Sequence, residues 1–149
     1  MAKKYGVVST KGGVGKTSLT ANLGGMLADM GQRVLLVDGD FQQTLSSYYR
    51  IQTKAPLGLR ALITRADPTD CISSTQIDRL DIVLSDDPTG KLIEWFRESA
   101  NNVYYLAAAL KRLDEQYDYM LIDSQGARGI LQQAIIFASD ILLSPIIPD

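Results

Sequence analysis

The sequence predicts an α/β fold in which a mostly parallel sheet is flanked by helices. Short apolar runs alternate along the chain with segments of helical periodicity, and a glycine-rich loop follows the first run. The run at residues 34–37 contains no polar side chain, which is typical of a strand covered on both faces. Together these observations indicate strands joined by helical crossovers.

The first half of the chain is predicted to form a strand at residues 5–9, the loop, a helix at 16–30 and the strand at 34–37. Five apolar residues recur at helical spacings of three and four and predict the helix, namely Leu19, Leu23, Met26, Leu27 and Met30. Gly31 follows where a C-terminal cap is expected. Gly24 and Gly25 lie inside the helix and each costs roughly 1 kcal/mol relative to alanine. We therefore expect close packing of this helix against the sheet.

The second half alternates in the same way. Short helices are predicted at 42–50 and 57–64, separated by a polar link that contains Pro56. Strands are predicted at 80–84, 119–122 and 141–147, the last interrupted at Pro145. Helices are predicted at 88–99, 103–113 and 127–139. We expect residues 1–149 to form one domain.

Length and composition exclude several classes of protein. The chain has 149 residues, of which 46% are hydrophobic and 21% charged, as in an ordinary soluble domain. The net charge of −2 does not indicate nucleic-acid binding through the overall field. Cys71 is the only cysteine and histidine is absent, which excludes a disulfide framework, His-based catalysis and His-liganded zinc. We find neither a signal peptide nor a membrane span and expect a cytoplasmic protein.

The loop after the first strand has the pattern of a phosphate-binding loop. It reads Thr10-Lys11-Gly12-Gly13-Val14-Gly15-Lys16-Thr17. Glycines let backbone N–H groups approach a phosphate, and the helix that follows adds unpaired N–H donors. Lys16 would face the β- and γ-phosphates, and the Thr17 hydroxyl would be a ligand of Mg²⁺. The predicted nucleotide-binding residues are Lys11, Gly12, Gly13, Val14, Gly15, Lys16, Thr17 and Ser18.

Three aspartates lie at the ends of predicted strands. Asp38 and Asp40 follow the strand at 34–37, and Asp123 follows the strand at 119–122. Ligands of an open parallel sheet bind beyond the carboxyl ends of its strands, so these side chains can converge on one Mg-nucleotide. We predict Thr17, Asp38 and Asp123 as the metal site, because Mg²⁺ takes few direct protein ligands and keeps several waters. Asp40 would orient or deprotonate an attacking water.

These segments together closely resemble the ParA/MinD family of deviant Walker A ATPases. The matching segments occur in the family's order and spacing, at residues 11–17, 34–42 and 117–123. Their sequences are most similar to those of ParA-type DNA partition proteins. The resemblance implies a P-loop NTPase fold. It also implies that Lys11 is the signature lysine, which reaches the partner's phosphates in a nucleotide sandwich dimer. Lys11, Lys16 and Asp40 are then the predicted catalytic residues.

The resemblance implies an ATP-dependent switch. ATP and Mg²⁺ would drive formation of a homodimer, the dimer would bind DNA nonspecifically, and a ParB-like partner would stimulate slow hydrolysis and release. The sequence departs from the family pattern at two places: Phe41 replaces a usual proline, and Ser124-Gln125-Gly126 stands where a double proline is common. Family members are usually longer, so we expect the N-terminal part of a longer ParA-like domain, without much of the basic DNA-binding surface.

One alternative to the active ATPase stays open. A truncated chain could bind nucleotide without turnover and act as an interaction module. A membrane-bound switch of the MinD type fits less well because no amphipathic C-terminal helix is present in these residues. Cys71 is expected to be inert, and Trp95 and the tyrosine pairs at 48–49 and 104–105 are expected to have packing roles.

Overall fold

A mostly parallel sheet of seven strands forms the centre of the computed structural model, which describes residues 1–8, 15–39, 45–64, 67–124 and 129–145. The strands are β1 (Lys3–Val7), β2 (Val34–Asp38), β3 (Ile51–Thr53), β4 (Ser73–Thr75), β5 (Leu80–Val83), β6 (Tyr119–Asp123) and β7 (Ile141–Leu143). Their order is β3-β4-β5-β2-β6-β1-β7. Strands β5, β2, β6, β1 and β7 are parallel to one another, whereas β4 pairs antiparallel with β3 at the edge and with β5. The predicted α/β fold class is confirmed.

Helices cover both faces of this sheet. They are α1 (Lys16–Asp29), α2 (Leu59–Ile63), α3 (Lys91–Glu98), α4 (Tyr105–Lys111) and α5 (Ile130–Ala138). Alternate residues of β2 point to opposite faces, as a strand requires. Leu35 and Val37 pack with α2, α3, α4 and α5, whereas Val34 and Leu36 pack beneath α1. The sheet therefore separates two apolar cores, and α1 lies on the second of them.

The predicted helix at 16–30 is confirmed, but of its apolar stripe only Leu23 and Leu27 pack against the core, and both are half-buried. Leu19, Met26 and Met30 are 36%, 62% and 72% exposed. The buried face consists of the short side chains Thr17, Thr20, Ala21, Gly24 and Ala28, together with Lys16. A Cβ at Gly24 would lie 2.6 Å from Leu36 Cδ2, so the helix approaches the sheet more closely than larger side chains would allow.

Gly31 ends α1 as predicted. Its φ is +88°, a left-handed conformation that glycine adopts without strain. The Gly31 N–H donates to the Ala28 carbonyl and the Gln32 N–H to the Leu27 carbonyl, both at 3.0 Å. This pair of bonds is the Schellman arrangement, which satisfies carbonyls at the end of the helix.

Several element boundaries differ from those predicted. β3 and β4 were not predicted, because strands of three residues with polar members such as Ser73 and Thr75 carry too little periodicity. The helix predicted at 103–113 begins as a 3₁₀ helix, Ala100–Tyr104, before α4. Of the helix predicted at 42–50, the described residues form only a 3₁₀ helix, Leu45–Tyr48. The described residues of the predicted strand at 141–147 form β7 alone.

Trp95 packs as expected, next to Phe96. Phe96 belongs to the core shared with α4 and α5, and Trp95 packs against it with the ring centroids 5.2 Å apart. Cys71 is fully buried, and burial raises the pKa of its thiol to about 11. The thiol is therefore protonated at neutral pH. Within the described residues, no helix has both the length and the apolar character needed to span a membrane.

Replacement of Arg79 by glycine is expected to stabilise the protein slightly. It is a non-glycine residue with a φ of +67°, which costs about 1–2 kcal/mol for an L side chain. Its ion pair with Asp78 is exposed and contributes little. We expect Arg79→Gly to raise the free energy of unfolding by about 0.5–1 kcal/mol in urea titrations, the gain being reduced by the entropy of glycine in the unfolded chain. Arg79→Ala removes the same side chain but keeps the strain. An equal gain in that variant would contradict the explanation.

Candidate nucleotide-binding site

The start of α1 is suited to an anion. The residue before it, Gly15, is left-handed with φ +83° and has no side chain to cap the helix. The first turn contains no acidic residue, and Lys16 and Thr17 are buried there. The first N–H groups of a helix have no partner within the helix, and the helix dipole is positive at this end. This end of α1 can therefore accept a phosphate group.

Two carboxylates lie side by side where β2 and β6 end. Asp38 and Asp123 are paired in register, and both are fully buried. Leu36 and Leu121, two residues earlier on the same strands, pack beneath α1. Since side chains alternate along a strand, both carboxylates point to the α1 face of the sheet. The predicted meeting of the strand ends is thus present in the structure.

Thr17 connects α1 to these carboxylates. Its Oγ1 donates a buried hydrogen bond of 2.7 Å to Asp123 Oδ2. One turn later, the Thr20 hydroxyl donates to the Lys16 carbonyl at 2.8 Å. Ser124, which follows β6 directly, donates from its hydroxyl to the Val7 carbonyl at 2.6 Å and ties the end of β6 to β1. Contacts among α1, β6 and β1 therefore fix the Thr17 hydroxyl relative to the Asp123 carboxylate.

The donor set fits Mg²⁺ bound together with a phosphate. Thr17, Asp38 and Asp123 offer oxygen atoms, which hard divalent cations prefer. Within the described ranges, no three His, Cys, Asp or Glu side chains lie close enough to hold a metal by themselves. Mg²⁺ commonly binds through one or two carboxylates, waters and substrate phosphates. The arrangement therefore suits a metal that arrives with a nucleotide.

Gly39 allows the chain to pass close to β6. Its N–H donates to the Asp123 carbonyl at 3.0 Å, and a Cβ at this position would lie 2.4 Å from that oxygen. No side chain fits there. Five of the predicted site residues, Lys11, Gly12, Gly13, Val14 and Asp40, lie outside the described residues.

Residues 45–49 form a second layer of contacts that was not among the sites predicted from the sequence. The Ser46 N–H and Oγ both donate to Asp38 Oδ2, at 3.2 and 2.7 Å. The hydroxyls of Tyr48 and Ser18 are hydrogen-bonded at 2.6 Å. The Tyr49 hydroxyl donates to the Ala21 carbonyl of α1, and burial raises the pKa of Tyr49. The only signal in the sequence was the cluster of hydroxyl side chains shortly after Asp38, which has no characteristic spacing.

Comparison with known proteins identifies the family. The family model for an AAA domain matches residues 2–149. Sporulation initiation inhibitor protein Soj of Bacillus subtilis is 35% identical over 150 residues, which are 98% of this chain and 58% of Soj. The virulence plasmid ParA family protein pGP5-D of Chlamydia psittaci is 33% identical over 153 residues, or 99% of this chain and 58% of that protein. The chain belongs to the ParA/MinD family of ATPases. The predicted resemblance to ParA-type proteins is confirmed.

A solved structure of this fold carries the expected class of ligand. Cobyrinic acid a,c-diamide synthase from Mycobacterium smegmatis, solved with bound ADP and magnesium, superposes with a TM-score of 0.88 at 28% identity. The match covers 98% of this chain and 60% of that one. ATP and Mg²⁺, the cofactors that we predict, agree with these ligands. This ParA/MinD chain spans about three-fifths of the length of these two relatives and of the synthase.

Proposed function

We propose that this chain is the nucleotide-binding part of a ParA-type ATPase that binds and hydrolyses Mg-ATP. The observation that supports it most directly is the 2.7 Å hydrogen bond from Thr17 Oγ1 to Asp123 Oδ2 beside the start of α1. This bond unites a hydroxyl and a carboxylate, the two kinds of oxygen donor that a magnesium-bound triphosphate requires. The adjacent helix end and the Lys16 ammonium group supply positive charge for the phosphates.

Each side chain has a task that follows from its chemistry. Lys16 neutralises charge on the β- and γ-phosphates, and Thr17 provides a direct oxygen ligand. Asp38 and Asp123 would accept hydrogen bonds from the waters of a bound Mg²⁺. Bound Mg²⁺ would stabilise the charge that develops on the transferred phosphoryl group. Asp40 orients or deprotonates the attacking water.

We further propose that ATP drives homodimerisation and that the dimer acts in DNA partitioning in the cytoplasm. The names of the plasmid ParA family protein and of chromosome partitioning protein ParA from Caulobacter vibrioides, which is 34% identical over 146 residues, support this class of function. A ParB-like protein would stimulate hydrolysis, and nonspecific DNA would bind to the longer form of the protein. The net charge of −2 is consistent with a DNA-binding surface outside these residues.

Lys11→Ala tests the dimerisation step. Because Lys16 fills the lysine position of one phosphate cradle, Lys11 is available to reach the partner's nucleotide. We expect Lys11→Ala to bind Mg-ATP within about threefold of the wild-type affinity, since the cradle keeps its own lysine. It should remain monomeric where the wild-type chain dimerises with ATP. Sedimentation velocity with and without ATP measures this difference. Normal dimerisation of Lys11→Ala would exclude the family mechanism for this chain.

A second candidate function is a nucleotide-binding module without turnover. The observation that favours it is coverage, since the chain matches only 58% of the length of Soj. Residues that complete the active site would then lie in the remaining part of the relatives. Calorimetric titration with Mg-ATP combined with a phosphate-release assay separates the two functions. Binding without release of phosphate would support the module, and sustained release would support the ATPase.

A further inference from the structure

Residues on both sides of Ser46 hold the 3₁₀ helix Leu45–Tyr48 against α1 and the core beneath it. Leu45, which is fully buried, packs in the core beneath α1. Tyr49 holds the Ala21 carbonyl of α1, and Tyr48 holds the Ser18 hydroxyl at 2.6 Å. These contacts fix the backbone around Ser46 relative to α1. The serine hydroxyl is thus presented to the site by neighbours that are already anchored.

Ser46 binds the carboxylate of Asp38 with two donors. Its N–H and Oγ both reach Oδ2, at 3.2 and 2.7 Å, and the carboxylate is fully buried. A carboxylate that accepts two bonds on one oxygen cannot rotate without breaking at least one of them. In metal sites, partners of this kind orient the ligands, and losing them typically lowers metal affinity about 10–100-fold.

We propose that Ser46 is a positioning residue for the magnesium site: it sets the orientation of the Asp38 carboxylate toward the metal and its waters. The inference rests on the proposed function, because it requires that Mg-nucleotide binds between Thr17 and Asp38.

The test measures nucleotide binding as a function of Mg²⁺. ADP with a fluorescent ribose label is bound to each chain, first with a chelator and then with increasing Mg²⁺. We expect Ser46→Ala to leave metal-free binding within twofold of wild type and to raise the half-maximal Mg²⁺ concentration about tenfold or more. Ser46→Thr keeps the hydroxyl and should restore the wild-type midpoint within about threefold.

Ser74→Ala is the matched control. Ser74, like Ser46, is a half-buried serine with a hydrogen-bonded hydroxyl, which accepts from the Thr53 N–H at 3.2 Å. It lies on β4, which is separated from β2 by β5. Its Mg²⁺ midpoint should equal that of the wild type. A wild-type midpoint in Ser46→Ala would overturn the role of Ser46, and so would an equal loss of metal-free and Mg²⁺-dependent binding. Failure of the wild-type chain to bind the labelled ADP would overturn the proposed function itself, and this role with it.

Discussion

Lys16→Ala is expected to lower the affinity of the chain for Mg-ATP by about 100-fold or more. The side chain lies buried in the first turn of α1, at the positive end of the helix dipole. A hydrogen bond from a charged donor contributes about 1.5–3 kcal/mol, and 2.7 kcal/mol corresponds to about 100-fold in affinity. Alanine keeps the helix, because its helix propensity exceeds that of lysine. Calorimetric titration with Mg-ATP measures the loss.

Lys54→Ala is the control for this experiment. Lys54 is exposed beyond the end of β3, at the far edge of the sheet, so its removal takes away the same charge without touching the site. We expect wild-type affinity in Lys54→Ala and an unchanged circular dichroism spectrum in both variants. Unchanged affinity in Lys16→Ala would disprove the assignment of the phosphate site. Failure of the wild-type chain itself to bind Mg-ATP would contradict the proposed function.

Gly39→Ala is expected to lower the free energy of unfolding by about 2–3 kcal/mol, the upper part of the range for overpacking a well-packed site. The added Cβ would lie 2.4 Å from the Asp123 carbonyl oxygen and 3.2 Å from Ile135 Cδ1. The first of these is backbone and belongs to the central strand β6, so it cannot move aside as a side chain can. The same displacement would break the hydrogen bond from the Gly39 N–H to Asp123 and separate the two carboxylates. Urea unfolding measures the loss of stability.

Gly31→Ala separates crowding from backbone conformation. A Cβ at Gly31 would meet nothing within 4 Å, but the φ of +88° is unfavourable for alanine. We expect a loss of about 1 kcal/mol there, caused by conformation alone. Gly39→Ala should cost at least twice as much and should also weaken Mg-ATP binding, which Gly31→Ala should leave unchanged. Equal losses in the two variants would argue against crowding at Gly39.

The local order of the chain predicted the position of the candidate site. Lys16 and Thr17 follow a glycine-rich loop at the start of a helix, and Asp38 and Asp123 end apolar strands. The carboxyl ends of parallel strands lie at the same edge of a sheet, so residues distant in sequence could be predicted to lie close together. The in-register pairing of Asp38 with Asp123 agrees with this reasoning. The roles of these residues in binding nucleotide stay predictions.

Sequence by itself thus determined the fold class, most of the main strands and helices and the set of candidate residues, because periodicity and strand ends are local properties of a chain. Tertiary structure alone decided which face of α1 is buried. Gly24 packs closely against Leu36 on that face, and the larger apolar side chains Leu19 and Met26 are left exposed. Tertiary structure also decided the edge strands β3 and β4, which are too short to show a period. The hydrogen bond between Ser46 and Asp38 was likewise decided only by the tertiary structure. It depends on how a 3₁₀ helix packs on α1, and packing between elements leaves no regular spacing in the sequence.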